Sequence, residues 1–461
     1  MTLTEYLDSI RDRRITVLGA GVSNMPLIGL LLSHGCDVTV CDQRSAEQMG
    51  ADAERLASLG AKLRLGADYL EHIDGELIFR TPGLMPFEPH LAAAKERGAI
   101  ITSEMELFMS LCPCPIIAVT GSDGKTTTSS IIAELLNKSG YTVHLGGNIG
   151  HPLLCETPEI APEDIAVLEL SSFQLHSMSC RPRIALITNL TPNHLDKHAG
   201  FQDYIDAKRR ILDEQTADDR LILNLDDPHT DYYASHAQAD IRYFSAKATV
   251  HNGVMLRNGV IVRVHDGAET PVIPTDEIKL PGAHNVLNYM AAFAATDGLV
   301  NDAVCADVAR SFAGVEHRLE HVRTVRGVLY INDSIGSSPT RTAAGLRAMR
   351  EKPIVIAGGY DKQLPFDTLG DDLCLYAKSV FLTGATAEKI RDAVLHSQYY
   401  AEHPIPVRVV GGFRETVLAA SEAAQSGDTV LFSPACASFD QFKNFAERGR
   451  VFKNIIMELQ E

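Results

Sequence analysis

The run Val119-Thr120-Gly121-Ser122-Asp123-Gly124-Lys125-Thr126-Thr127-Thr128 follows the apolar Pro115-Ile116-Ile117-Ala118 and leads into the helical pattern Ser129-Ser130-Ile131-Ile132-Ala133-Glu134-Leu135-Leu136. Strand, glycine loop and helix start in this order make a phosphate-binding turn, which demands a parallel strand behind it and a helix N-terminus in front. The glycines let backbone N–H groups approach phosphate oxygens, and the helix end adds partial positive charge. Lys125 is placed to reach the β and γ phosphates and the Thr126 hydroxyl to ligate Mg²⁺. The usual spacing would put a first glycine at position 119, where Val119 stands, so the loop departs from the common form. With a strand before it and a helix after it, the segment predicts ATP binding.

With 461 residues, 45% of them hydrophobic, the chain can bury more than one core. At about 150 residues per domain it divides into roughly three. A net charge of -17 and a pI near 5.4 offer no broad basic field, so nucleic acid is not an expected partner. Small anionic substrates need only a few cations in a pocket. The nine cysteines show no paired metal spacing, and Met1-Thr2-Leu3-Thr4-Glu5 does not open a signal peptide. They read as reduced thiols of a cytoplasmic protein. Cys112-Pro113-Cys114 is too close for a structural zinc pair. The apolar runs are shorter than a membrane span, so no membrane association is expected.

The pattern is α/β throughout, in three organised regions. The first, 1–105, opens with the buried-strand run Ile15-Thr16-Val17-Leu18 ending in Gly19-Ala20-Gly21, then Val22-Ser23-Asn24 and the helical Leu27-Ile28-Gly29-Leu30-Leu31-Leu32. The strand Asp37-Val38-Thr39-Val40-Cys41 delivers Asp42 at its end. This is a Rossmann-like half, its glycine turn facing a diphosphate and Asp42 a ribose or base. Asn24 occupies the third glycine position of the dinucleotide fingerprint, which weakens an NAD reading. A further strand, Glu76-Leu77-Ile78-Phe79-Arg80, ends in Thr81-Pro82-Gly83 at the same ligand edge.

The second region, 106–314, carries the phosphate loop. It continues with Gly146-Gly147-Asn148-Ile149-Gly150 and with the strand Ile165-Ala166-Val167-Leu168-Glu169-Leu170, followed by Ser171-Ser172-Phe173-Gln174-Leu175. After these come Ala185-Leu186-Ile187-Thr188-Asn189 and Asn193-His194-Leu195-Asp196. Strands alternating with helices predict a central parallel sheet. A carboxylate inside an apolar strand is costly unless paired or bound to a cation, so Glu169 beside a nucleotide loop points to Mg²⁺. Tyr204-Ile205-Asp206-Ala207-Lys208-Arg209-Arg210-Ile211-Leu212 reads as a helix, as does the segment after Pro281-Gly282-Ala283-His284. The carboxamides Asn285 and Asn288 at the start of that later helix suit either an adenine edge or helix capping. The third region, 315–461, repeats strands ending in small or charged residues, among them Leu329-Tyr330-Ile331-Asn332-Asp333 and Ile354-Val355-Ile356-Ala357-Gly358-Gly359. It predicts a second open Rossmann-like sheet whose ligand edge suits a small anionic amino acid.

In this order the pieces resemble the Mur ligase family along essentially the whole chain: the loop 120–126, the Gly-Gly-Asn-Ile-Gly turn, Glu169-Leu170-Ser171-Ser172-Phe173-Gln174-Leu175, His194, Lys208, His284-Asn285 and His317-Arg318. Within the family, the run Ser433-Pro434-Ala435-Cys436-Ala437-Ser438-Phe439-Asp440-Gln441-Phe442-Lys443-Asn444-Phe445-Ala446-Glu447-Arg448-Gly449 is similar to the branch that adds D-glutamate to UDP-N-acetylmuramoyl-L-alanine. The resemblance implies a monomeric, cytoplasmic, ATP-dependent amide ligase of peptidoglycan precursor synthesis. ATP activates a carboxylate as an acyl phosphate, which the amino acid's amine then attacks.

The resemblance also implies roles for individual residues. Lys125, Glu169, His194 and Lys208 would be catalytic. Gly121, Ser122, Asp123, Gly124, Lys125, Thr126, Thr127, Asn285, Asn288, Arg318 and Asp333 would hold ATP. Val22, Ser23, Asp42, Gln43, Gly83, Asn148 and His194 would hold the UDP substrate. Lys362, Ser438, Phe439 and Phe445 would receive D-glutamate. Two Mg²⁺ ions would draw on Thr126, Glu169, His194 and Lys208. An ammonium repels Mg²⁺, and in this family the matching lysine is carbamylated into an oxygen-donating anion, so the same is expected of Lys208. One departure stands out. Where many relatives continue Asn-Asp-Ser with Lys-Ala-Thr, this chain has Ile335-Gly336-Ser337-Ser338-Pro339-Thr340-Arg341. Ser338 and Pro339 suit an N-cap and first helical residue, so a helix N-terminus with Arg341 is expected to replace the missing cation.

Overall fold

The computed structural model describes residues 1–461 except 22, 72, 151, 193, 195, 196, 281, 348, 350, 362–364 and 461. It has two compact units, Met1–Phe312 and Ala313–Glu461.

The first unit holds two sheets. Strands β1 (Arg14–Leu18), β2 (Asp37–Asp42), β3 (Lys62–Leu65), β4 (Leu77–Arg80) and β5 (Ile100–Thr102) form an all-parallel sheet in the order β3-β2-β1-β4-β5. The chain leaves β1 toward β2 and returns on its other side to β4. The C-terminal ends of β1 and β4 therefore flank a crevice, where open α/β sheets bind ligands. The helix Asn24–Ser33 starts at this edge.

The second sheet contains β6 (Ile116–Thr120), β7 (Val143–Gly147), β8 (Ile165–Glu169), β9 (Ile184–Ile187), β10 (Arg220–Asn224), β11 (Asp240–Ser245), β12 (Gly253–Arg257), β13 (Val260–His265) and β14 (Ala268–Pro274). Its order is β14-β13-β12-β11-β10-β9-β6-β8-β7. From β7 to β12 the pairs are parallel. Both faces of the parallel part are covered, which is why its strands read as unbroken apolar runs rather than alternating ones. Ile117 and Val119 face Ile131, Leu135 and the helix Ala283–Ala295. Ala118, Leu168 and Leu223 face the opposite way, in a core continuous with Val17, Val40 and Phe108 of the first region. That shared core joins both sheets in one unit.

The parallel sheet expected for this region is present from β7 to β12 and is extended by β13 and β14, which pair antiparallel. Their two-residue turns are Asn258-Gly259 and Asp266-Gly267, with φ of 52° at Asn258 and 48° at Asp266. These are type I′ hairpin turns, whose twist matches that of the flanking strands, and Asn-Gly and Asp-Gly are their usual sequences. Gly146 and Gly147, read as a turn, form the end of β7.

The second unit has β15 (Glu320–Val325), β16 (Val328–Asn332), β17 (Ile354–Ala357), β18 (Ser379–Leu382), β19 (Val407–Val409) and β20 (Thr429–Phe432) in the order β15-β16-β20-β17-β18-β19. All pairs are parallel except the edge hairpin β15–β16. Val355 and Leu431 enter one core and Ile354, Val430 and Phe432 the other.

Candidate active site

The phosphate loop leaves β6 and enters the helix Lys125–Lys138. Its conformation is left-handed at Gly124, φ 79°, and a Cβ there would sit 2.3 Å from Asn288 Oδ1. A Cβ on Gly121 would meet Thr188 Oγ1 at 2.0 Å. These are close-approach positions that only glycine fills without strain. Neighbouring strands hold the loop from below. Thr188 Oγ1 donates to the Asp123 carbonyl at 2.6 Å, and Asn189 brackets Asp123, accepting from its N–H and donating to its carbonyl, both at 3.0 Å. The Ser122 hydroxyl lies 3.0 Å from that of Tyr204 and donates to the Thr191 carbonyl. Lys125 Nζ donates to the carbonyls of Gly121 and Ser122, curling over the loop. Thr127 is buried on the inner side of the helix.

Glu169, buried at the end of β8, connects this loop to the first region's cleft. Its Oε2 accepts from Thr126 Oγ1 at 2.6 Å and its Oε1 from Asn148 Nδ2 at 2.7 Å. The Asn148 N–H donates to the Glu169 carbonyl at 2.7 Å. Lys208, on the helix Phe201–Arg209, is 1% exposed. Its Nζ donates to the Gly121 carbonyl at 2.8 Å and to Thr120 Oγ1 at 3.3 Å, and it lies 4.7 Å from the centre of the Tyr204 ring. Burial and the charge of Lys125 push its ammonium well below the usual lysine range. His194 takes a left-handed backbone, φ 54°, with its ring edge-on to Phe173 at 4.9 Å. Asn288 faces the loop, but its carboxamide is engaged by Thr128 and Asn285, at 3.3 and 3.1 Å.

Beside Asn148 a cavity of about 190 Å³ is lined by Ser23, Arg80, Glu104, Asn148 and Gln174, among others. Ser23 and Asn148 were expected here; Arg80, Glu104 and Gln174 were not assigned roles. Arg80 is 1% exposed and places all its N–H donors on oxygen: the carbonyls of Thr81, Leu84 and Phe173 and the hydroxyl of Ser177. It ties β4 to the segment after β8. Glu104 accepts from the Leu154 N–H, and burial pushes its carboxyl up to about 7. Gln174 forms a capping box with Ser171. The sequence signal for Arg80 is a cation ending an apolar strand, and for Glu104 an acid opening the apolar helix Glu104–Leu111.

Asp42 is buried at the end of β2. It accepts from the Ala20 N–H at 2.8 Å and forms a two-point ion pair with Arg44. Burial opposes its ionisation, yet hydrogen bonds from Arg44 and Ala20 hold its carboxyl below the usual range. Its carboxylate shapes the glycine turn from within. Gln43 and Gly83 are exposed. Val22 lies outside the described residues.

In the second unit Asp333 is buried, accepting from Ser433 Oγ at 2.7 Å and the Leu319 N–H at 3.3 Å, and burial raises its carboxyl to about 6. Arg318 follows His317, whose Nδ1 lies 2.9 Å from Asn332 Nδ2. Ser438 is buried, whereas Phe439 and Phe445 are exposed, 63% and 40%. Arg448, unassigned by the sequence reading, is buried and donates to Ser334 and to the carbonyls of Cys436 and Ala437, fixing the turn before Ser438. Pro339 opens the helix Pro339–Arg347, and Arg341 is exposed on its first turn, donating to the Ile335 carbonyl. Lys362 lies outside the described residues.

Residues 119–296 match the Mur ligase middle domain and residues 317–436 the glutamate ligase domain of Mur ligases. The chain is 44% identical to the UDP-N-acetylmuramoylalanine--D-glutamate ligase of Acetivibrio thermocellus, covering 99% of each. The Ruminiclostridium cellulolyticum protein of the same name is equally similar, over 99% of each chain. The chain belongs to the Mur ligase family. Solved Mur ligases share its fold: MurF from Acinetobacter baumannii, TM-score 0.59 at 16% identity over 99% of each chain, and UDP-N-acetylmuramate-alanine ligase from Thermotoga maritima, 0.58 at 18% identity over 96% of this chain and 99% of that one. Among the described residues no helix is long and apolar enough to cross a membrane.

Proposed function

We propose that this Mur ligase joins D-glutamate to UDP-N-acetylmuramoyl-L-alanine in an ATP-dependent reaction of cytoplasmic peptidoglycan precursor synthesis, acting as a monomer. The observation that carries this reading is the full-length likeness, at 44% identity, to relatives bearing that enzyme's name. In this reading residues 1–105 bind the UDP substrate, 106–314 bind ATP and 315–461 receive the amino acid.

The residues present suit the chemistry. A free carboxylate is a poor acyl donor. The terminal alanine carboxylate attacks the γ-phosphorus of ATP, ADP leaves, and an acyl phosphate results. The amine of D-glutamate adds to its carbonyl carbon, and the tetrahedral intermediate collapses with loss of phosphate and a proton. Loop N–H groups and Lys125 hold the phosphates, so positioning and charge neutralisation supply most of the rate. Asn148, hydrogen-bonded to Glu169 and lining the cavity, couples the substrate cleft to the ATP loop. Arg318 and Asp333 serve ATP, Arg318 at phosphate and Asp333 at the ribose. Lys362, Ser438, Phe439 and Phe445 receive D-glutamate.

Thr126 and Glu169 offer adjacent hard oxygen donors, which fit Mg²⁺. His194 and Lys208 would complete a second Mg²⁺ site. Bound Mg²⁺ would neutralise phosphate charge. As an ammonium Lys208 does not fit such a site; as a carbamate, formed on CO₂, it does. The test is phosphate release from ATP, Mg²⁺ and UDP-N-acetylmuramoyl-L-alanine with D-glutamate against L-glutamate, L-lysine and diaminopimelate, recording product mass. Release with a one-glutamate mass gain for D-glutamate alone is expected; product with another amino acid, or with none, would overturn the reading.

A further inference from the structure

Cys112 and Cys114 flank Pro113 in the segment that joins the helix Glu104–Leu111 to β6. All nine cysteines are free. The Sγ atoms of Cys112 and Cys114 lie 3.5 Å apart, and Cys112 Sγ is 3.7 Å from the Cys114 carbonyl oxygen. The closeness that excludes a zinc pair thus sets the two sulfurs in direct contact.

The two thiols differ in a way that matters for exchange chemistry. The hydrogen bond between the two sulfurs lowers the Cys112 thiol, against its burial, and together with burial raises that of Cys114. Cys112 is half-buried, at the C-terminal end of its helix, where its N–H donates to the Phe108 carbonyl. Cys114 is 6% exposed and packs in the core with Leu111 and Ile116. One thiol is therefore reachable and biased toward thiolate, while the other is sheltered beside it. Attack and resolution in dithiols divide the same way.

We propose that Cys112 and Cys114 form a reversible intrachain disulfide, a modification site reacting with small disulfide oxidants of the glutathione class. The Cys112 thiolate attacks one sulfur of glutathione disulfide, forming a mixed disulfide and releasing one glutathione thiolate. Cys114 gives up its proton, its sulfur attacks Cys112 Sγ, and the second glutathione leaves. Two cysteine thiols and one glutathione disulfide become one protein disulfide and two glutathione molecules. The bond would clamp the segment between Glu104, which lines the substrate cavity, and the strand that carries the phosphate loop.

The test treats the reduced full-length chain with glutathione disulfide, then digests it and records peptide masses. The peptide containing both cysteines is expected to lose two hydrogens and to regain them with dithiothreitol. Cys114→Ser is expected to stop at a glutathione adduct on Cys112, and Cys112→Ser to leave Cys114 unmodified. In the untreated chain, Cys112 is expected to alkylate at least tenfold faster than Cys114. A peptide that stays reduced while exposed Cys155 becomes glutathionylated would overturn the proposal, as would Cys114 alkylating first.

Discussion

Gly124→Ala perturbs the loop at its tightest point. At φ 79° an alanine is strained by about 1–2 kcal/mol, partly offset by the less flexible unfolded chain. The new Cβ would stand 2.3 Å from Asn288 Oδ1, so the carboxamide must swing away. That motion gives up its bonds to Thr128 and Asn285, each contributing about 0.5–1.5 kcal/mol. The expected net loss is about 2–4 kcal/mol of stability in the first unit. The chain has no tryptophan, so urea unfolding followed by far-UV circular dichroism is the suitable assay. Asn288→Ala removes the obstructing group. In the double variant the steric part should vanish and the backbone part remain, giving a coupling of about 1–2 kcal/mol. A loss below about 0.5 kcal/mol for Gly124→Ala, or strictly additive effects, would refute the reasoning.

Other consequences follow from single side chains. Arg80→Met leaves the half-buried carbonyls of Leu84 and Phe173 without their guanidinium donor and should cost about 3–5 kcal/mol in urea unfolding, whereas Arg97→Met, at an exposed arginine that donates to the Ile73 carbonyl, should cost under about 1 kcal/mol. Glu104 has a native carboxyl near 7 against an ordinary 4.5, so the folded state binds the extra proton. Its contribution is fully present below pH 4.5 and is lost as pH rises through 7, a change of about 3 kcal/mol. Glu104→Gln should flatten that part of the stability profile between pH 5 and 8; an unchanged profile would refute the assignment. Lys208→Ala should lower turnover by about a hundredfold or more, with partial recovery in short carboxylates such as acetate; undiminished turnover would remove Lys208 from the site. Arg341→Ala should raise the Michaelis constant for D-glutamate, and an unchanged constant and turnover would leave the cation missing at Ile335 without a replacement.

The phosphate loop was legible because its chemistry is local. A strand, two glycines and a helix start fix where N–H groups point, whatever lies around them. Thr126 and Glu169 stood out by type, a hydroxyl in the loop and an acid in an apolar strand, and the structure joins them by a 2.6 Å hydrogen bond. The antiparallel hairpins β12–β14 carried a readable signal in Asn258-Gly259 and Asp266-Gly267, though alternation with helices dominates the pattern of that region.

What the sequence by itself determined is therefore the α/β class, the strand, glycine loop and helix start around Gly121 and Gly124, and the placing of the acid Glu169 in an apolar strand. Which partner each polar group meets was decided by tertiary structure, because those partners are distant in sequence. Asp42 meets Ala20, Arg80 meets Phe173 and Ser177, and Asn288 meets Thr128 against Gly124. Burial decided charge in the same way. Glu104 and Lys208 are ordinary ionisable residues on paper, and it is the packing of two sheets around one core that withdraws them from water and shifts their equilibria.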